Sequence, residues 1–141
     1  MTDVVFNHAT VRNRADMLQF LDLCAERGLG TVSIWGNEIE KVGEARALEA
    51  LRAHGMRVSG YNRIGPFTPE GLGKARAELE RAARFGADHV FLFTGGLAKG
   101  ERDLPRARDR AEAAIAGLLP MTLDLGLKLA IEPLHPMLVG D

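Results

Sequence analysis

Phe85-Gly86-Ala87-Asp88-His89-Val90-Phe91-Leu92-Phe93-Thr94 and, further along, Leu125-Gly126-Leu127-Lys128-Leu129-Ala130-Ile131-Glu132 decide the reading of the fold. In both stretches a helical pattern closes on a glycine and a short apolar run follows. Val90 to Phe93 and Leu127 to Ile131 are near-continuous apolar runs, without clean alternation. A strand buried on both faces reads this way, as in parallel α/β sheets. Glycine just past a helix suits the left-handed conformation that closes it. Gly28 and Gly55 stand in the same position ahead of Thr31 to Trp35 and Arg57 to Tyr61. Repetition of helix, glycine and strand across the four glycines predicts a series of β-α units.

Working outward, the strands are expected at Val4 to Ala9, Thr31 to Trp35, Arg57 to Tyr61, His89 to Thr94 and Lys128 to Glu132, with four helices between them. In the first helix Met17, Phe20, Leu21 and Cys24 fall at i, i+3, i+4 and i+7, one apolar stripe that places Cys24 in the core as a small hydrophobe. The second helix carries Val42, Ala45, Leu48 and Leu51. The third opens on Thr68-Pro69-Glu70, a cap, a first-turn proline and a dipole-complementing acid. Its stripe is Leu72, Ala75, Leu79 and Ala82. The fourth runs from about Leu104 to Leu125, and Pro120 is expected to kink or split it.

Each helix returns the chain to start another parallel strand by a right-handed crossover. An open doubly wound sheet and a barrel both satisfy that pattern, and periodicity does not choose between them. Five strands and four helices make about half of an eight-unit barrel, which takes about 250 residues. Only Pro133 to Asp141 follow the last strand, with no helix to cover it. The expectation is one domain over residues 1–141: α/β, a partial (β/α)8 TIM barrel of about five parallel strands and four helices, its C-terminal half absent.

Composition narrows the partners. The 141 residues are 46% hydrophobic and 26% charged, with a net charge of −1, so no field favours nucleic acid or an anionic membrane. No apolar run approaches the roughly 20 residues of a membrane span. The start, Met1-Thr2-Asp3-Val4-Val5-Phe6, has no basic n-region of a signal peptide. The single cysteine, Cys24, forms no internal disulfide, which fits a reducing, cytoplasmic setting.

In both architectures ligands bind at the C-terminal ends of the strands. That rule selects Asn7, His8 and Arg12; Trp35, Gly36 and Asn37; Tyr61, Asn62 and Arg63; Thr94, Gly95 and Gly96; and Glu132 with His135. Glu132 ends an apolar strand, and Pro133 biases it to an extended backbone. A carboxylate there suits a hard divalent cation; a solvated strand-end acid or a structural salt bridge fits the spacing equally. Trp35 offers an aromatic face to a sugar or to the core. Arg63 offers a fork to a phosphate or carboxylate, or is a solvated loop residue. Gly95-Gly96 allows close approach of backbone to ligand, or is an ordinary turn. His54 reads as a surface cap beside a helix end, and His89 opens a strand at the opposite end of the barrel.

Leu129-Ala130-Ile131-Glu132-Pro133-Leu134-His135-Pro136 resembles the fifth-strand motif of one branch of the xylose-isomerase-like barrel family of sugar phosphate isomerases and epimerases. Asn7-His8-Ala9-Thr10-Val11-Arg12 resembles its first strand, with His8 where many members have Gln. Thr31 to Trp35, Val58 to Arg63 and Leu92 to Gly96 resemble the second, third and fourth, and the Leu118-Leu119-Pro120 break resembles the branch's fourth helix. The resemblance covers the chain in order, as the N-terminal half of the family's barrel. It implies a metal-dependent isomerase or epimerase of a sugar or sugar phosphate, working by proton transfer through a metal-stabilised enediolate. Glu132 takes the place of a metal ligand and proton-transfer group. Mn2+ or Mg2+ is the implied metal, with Co2+ or Zn2+ as further choices. His8, Trp35, Arg63, Gly95 and His135 are the candidate substrate contacts. The family's other ligands are an Asp after strand six, a His after strand seven and a Glu after strand eight. None falls within this chain, which is therefore expected to be incomplete and inactive by itself. A polyol dehydratase or an abasic-site endonuclease on the same fold is the alternative. A non-catalytic half-barrel that self-associates through its open edges into a homo-oligomer is the other.

Overall fold

The computed structural model describes residues 4–65, 67, 71–95, 97 and 100–132. Five strands, β1 (Phe6–Asn7), β2 (Thr31–Trp35), β3 (Arg57–Ile64), β4 (His89–Leu92) and β5 (Lys128–Ile131), form one parallel sheet in the order β1-β2-β3-β4-β5. Five α-helices are described: α1 (Met17–Glu26), α2 (Gly36–Val42), α3 (Glu44–Ala53), α4 (Gly71–Arg84) and α5 (Leu104–Asp124). A doubly wound sheet reverses its strand order at a switch point. Here each strand lies beside its sequence neighbour, so the crossovers all turn one way. The helices share one face, and the other face is the inside of a barrel. The strand order thus makes the choice that periodicity left open.

The sequence explains where each helix ends. Gly28, Gly55, Gly86 and Gly126 have φ of 68°, 61°, 64° and 68°. Each donates its N–H to the carbonyl three residues back, and the next residue donates to the carbonyl five back, as in Leu29 to Cys24 and Leu127 to Thr122. This bond pair, repeated at four helix ends, satisfies the last carbonyls and turns the chain straight into a strand. At the start of α1, Asp16 accepts from the Leu18 and Gln19 amides while the Gln19 side chain accepts from Asp16 N–H, a reciprocal cap.

The core lies between sheet and helices. The predicted stripe Met17, Phe20, Leu21 and Cys24 is buried in one core with Val32, Ile34, Val58, Val90 and Leu92. Burial pushes the Cys24 thiol up, away from the reactive thiolate.

Local expectations change: the first strand is Phe6–Asn7 with a 3-10 turn at His8–Thr10, and the third extends to Ile64. The single second helix is a pair, because Gly43 at φ 91° closes α2 with its N–H on Ile39 and opens α3 with its carbonyl to Ala47. Gly36 and Asn37, selected as residues that follow the second strand, form the first turn of α2. α5 runs unbroken through Pro120. Pro120 and Ala116 are both exposed, so the carbonyl that loses its donor lies on the solvent side. The cap expected at Thr68, Pro69 and Glu70 lies outside the described residues. No helix among the described residues is long and apolar enough to cross a membrane.

Candidate functional site

Side-chain alternation sorts the strand residues into two sets. Val32, Ile34, Val90 and Leu92 point to the helices and are fully buried. Ser33, Trp35, Gly60, Asn62, Phe91 and Ala130 belong to the inner face, paired laterally as Ser33 with Gly60, Trp35 with Asn62, Asn62 with Phe91 and Phe91 with Ala130. Asn62 is buried there and donates from Nδ2 to Ser33 Oγ at 2.9 Å and to the Ile34 carbonyl at 3.1 Å. Gly60 leaves room for its neighbours: a Cβ would come within 2.7 Å of both Phe91 Cε2 and Ser33 Oγ.

At the C-terminal rim, Trp35 donates from Nε1 to Asn7 Oδ1 at 2.9 Å, tying β2 to β1 and fixing the indole. The Arg12 guanidinium carbon lies 4.9 Å from the Trp35 ring centre and that of Arg63 lies 5.7 Å from it. Arg63 also lies 4.3 Å over the ring of Phe93. These rings and cations, with Asn37, Asn62 and Lys74, line a cleft of about 850 Å³. Its outer wall is the α2–α4 interface, where Arg81 donates to Glu40 at 2.9 Å and to Glu78 at 3.0 Å. Glu78 also accepts from the buried Tyr61 hydroxyl. Burial first, and then the Glu78 carboxylate, hold the Tyr61 phenol well above its ordinary value, so it acts as a neutral donor. Gly36 sits against this pair: a Cβ would lie 2.3 Å from Tyr61 Oη.

Glu132 continues the β5 ladder by donating its N–H to the Leu92 carbonyl at 2.8 Å. Ile131, the residue before it, faces the helices and lines a second groove with Ala111, Ile115 and Leu119 of α5. Alternation therefore puts Glu132 on the inner face, beside Phe93. It is exposed, and among the described residues its carboxylate has no hydrogen-bond or salt-bridge partner.

The rim thus brings Trp35, Arg63 and Glu132 onto one arc, with Arg12 at its β1 end. Gly95 follows β4 with φ 90°. His8 lies elsewhere: it is buried in a 3-10 turn, its Nε2 3.0 Å from the Ala15 carbonyl and its ring 4.9 Å from that of Phe20, between β1 and α1. Tyr61 likewise faces the helices. Gly96 and His135 lie outside the described residues. His54 caps α3 and meets Asp22 at 2.8 Å. His89 lies with Nδ1 3.3 Å from the Ser59 carbonyl. Lys74 and Phe93 were not singled out in the sequence; Phe93 reads there as strand core, and Lys74 as one more charge on a helix. Among the described residues no group of three or more His, Cys, Asp or Glu side chains is placed to hold a metal ion.

A profile of the xylose isomerase-like TIM barrel family matches residues 13–140. The chain belongs to the xylose isomerase-like TIM barrel family. A protein of Sinorhizobium meliloti, SMc04130, is 32% identical and superposes with a TM-score of 0.91 over 96% of this chain and 52% of its own. The 3-keto-D-glucoside 4-epimerase of E. coli, at 18% identity, gives 0.74 over 96% and 57%. The IolI protein, solved with a bound zinc atom, gives 0.72 at 15% identity over 92% and 51%. The chain spans about half the length of these solved relatives. No curated protein matches it.

Proposed function

We propose that this chain forms the substrate-facing first half of a divalent-metal-dependent sugar isomerase or epimerase, with Glu132 as one metal ligand and as the group that holds or moves the proton beside the carbonyl. The observation that carries the reading is the Glu132 carboxylate: exposed, without a partner among the described residues, and on the inner face at the C-terminal end of β5. An oxygen donor of that kind fits Mn2+ or Mg2+, and accepts Co2+ or Zn2+. A cation held there would polarise a substrate carbonyl. Trp35, with Arg12 and Arg63 over its ring, would wall the sugar pocket, and Asn62, anchored on Ser33 and Ile34, keeps the floor of the cleft rigid. The epimerase and the zinc-bound IolI protein among the structural neighbours support a sugar substrate and a metal. One ligand does not make a catalytic site, so the chain alone is expected to be inactive.

The test is exchange of the substrate proton. Joined to the second half of the S. meliloti relative's barrel, this chain should catalyse Mn2+-dependent uptake of solvent deuterium at the carbon beside the carbonyl of a ketose. Glu132→Gln should abolish it. Exchange that persists in that variant, or proceeds equally in EDTA, would refute the assignment.

A further inference from the structure

We infer that the cleft around Trp35 is a binding site for an anionic group, a carboxylate or phosphate carried by the substrate, held between the guanidinium groups of Arg12 and Arg63. The inference rests on the sugar-site reading above and names the class of sugar.

Charge accounting in the cleft carries the argument. Its carboxylates are occupied: Glu40 and Glu78 are both bound by Arg81. Among the described residues Arg12, Arg63 and Lys74 make no hydrogen bond or salt bridge to any acid. Other basic groups nearby do find acids, Lys41 on Glu38 and Arg84 on Glu44. Among the described residues the four cations Arg12, Arg63, Lys74 and Arg81 therefore face the two carboxylates Glu40 and Glu78 on one concave surface, a local excess of two positive charges on a chain whose net charge is −1.

The two guanidinium groups are also positioned. Both lie over the one indole ring, at 4.9 and 5.7 Å, and Arg63 packs on Phe93 at 4.3 Å. Stacking on rings holds a guanidinium in a defined orientation and leaves its edge N–H donors free. The indole is itself fixed by Asn7. Two forks brought to one ring repel each other, and an oxyanion between them offsets that repulsion while accepting several charge-assisted hydrogen bonds. A neutral sugar gives no such return. Phe93, under Arg63, lies beside Glu132, so one ligand running along the rim from β1–β3 to β5 reaches both the cations and the carboxylate.

Trp35 is the chain's one tryptophan, so its fluorescence reports on this cleft alone. The chain is titrated without metal with D-fructose, D-fructose 6-phosphate and D-fructuronate. We expect saturable changes with the two anionic ketoses at roughly tenfold lower concentration or less than with fructose. Arg12→Gln and Arg63→Gln should each erase most of that preference, and Lys41→Gln should leave it. A lower midpoint for the phosphate or for the carboxylate says which anion the site takes. If Arg63→Gln melts early, Arg63→Lys replaces it, keeping the charge without the fork, and partial loss is expected. Equal midpoints for the three ketoses, no response to any of them, or tighter binding of an abasic-site duplex would overturn the inference. Because the readout needs neither metal nor turnover, its failure with intact deuterium exchange would remove the anion site alone. Anion preference without exchange would remove the isomerase reading alone.

Discussion

Replacing Gly65 and Gly117 by alanine should change stability in opposite directions. Gly65 follows β3 with φ 114°, a region that costs a residue with a side chain about 1–3 kcal/mol. A Cβ there would also stand 2.4 Å from the Phe93 carbonyl oxygen and 3.1 Å from Phe93 Cδ1 and Cε1. The obstacle is backbone and does not swing aside, so overpacking adds about 1–3 kcal/mol. We expect Gly65→Ala to cost about 3–4 kcal/mol, or about 10 °C in Tm at roughly 3 °C per kcal/mol for a chain of this size. Gly117 is exposed inside α5, and its Cβ would meet nothing within 4 Å. Gly117→Ala should stabilise by about 0.5–1 kcal/mol through helix propensity. Urea unfolding followed by far-UV circular dichroism measures both. The reasoning is refuted if Gly65→Ala stays within about 0.5 kcal/mol of the parent, the range of ordinary surface changes, or if Gly117→Ala destabilises.

Tyr61 is the chain's one tyrosine, so tyrosinate absorbance reports on it alone. Its folded value is raised above the ordinary 10.0, so above that pH the native state retains a proton that the unfolded chain releases, and stability falls as pH rises. Tyrosinate should therefore appear only together with loss of circular dichroism; its appearance near the ordinary value in folded protein would contradict the buried Tyr61–Glu78 pair. Val4, Val5, Leu119, Leu123 and Ile131 are exposed near the β1 and β5 edges, each of which pairs on one side only among the described residues. The chain should self-associate in sedimentation, and Leu123→Lys with Ile131→Lys should weaken this; a concentration-independent monomer would contradict it.

How far the sequence carries the fold depends on the kind of interaction. The glycines that close α1, α3, α4 and α5 were legible because a left-handed helix end is a local demand on one residue. Gly43 also needs a positive φ, yet it lies inside an apolar stripe that runs on from Val42 to Leu51, so the break in the helix went unread. Barrel and open sheet differ in strand order, a non-local property, and their buried strands look alike. At the rim, Glu132 was visible from its place after an apolar run. Tyr61 was expected there, but the register shift between Val58 and Gly60 in the β2–β3 pair upsets simple alternation and turns it to the helices. The stacking of Arg12 and Arg63 on Trp35 joins residues distant in sequence, and only the closure of β1, β2 and β3 side by side reveals it.

The central claim is that Glu132 is a metal-binding carboxylate, and adding substoichiometric Mn2+ to isotopically labelled chain tests it most directly. Paramagnetic broadening of amide signals detects even a weak, single-ligand site. The prediction is selective loss of signal at Glu132, Leu92 and Phe93, restored by Glu132→Gln. Broadening spread over the acidic helix faces, unchanged by that substitution, would contradict it.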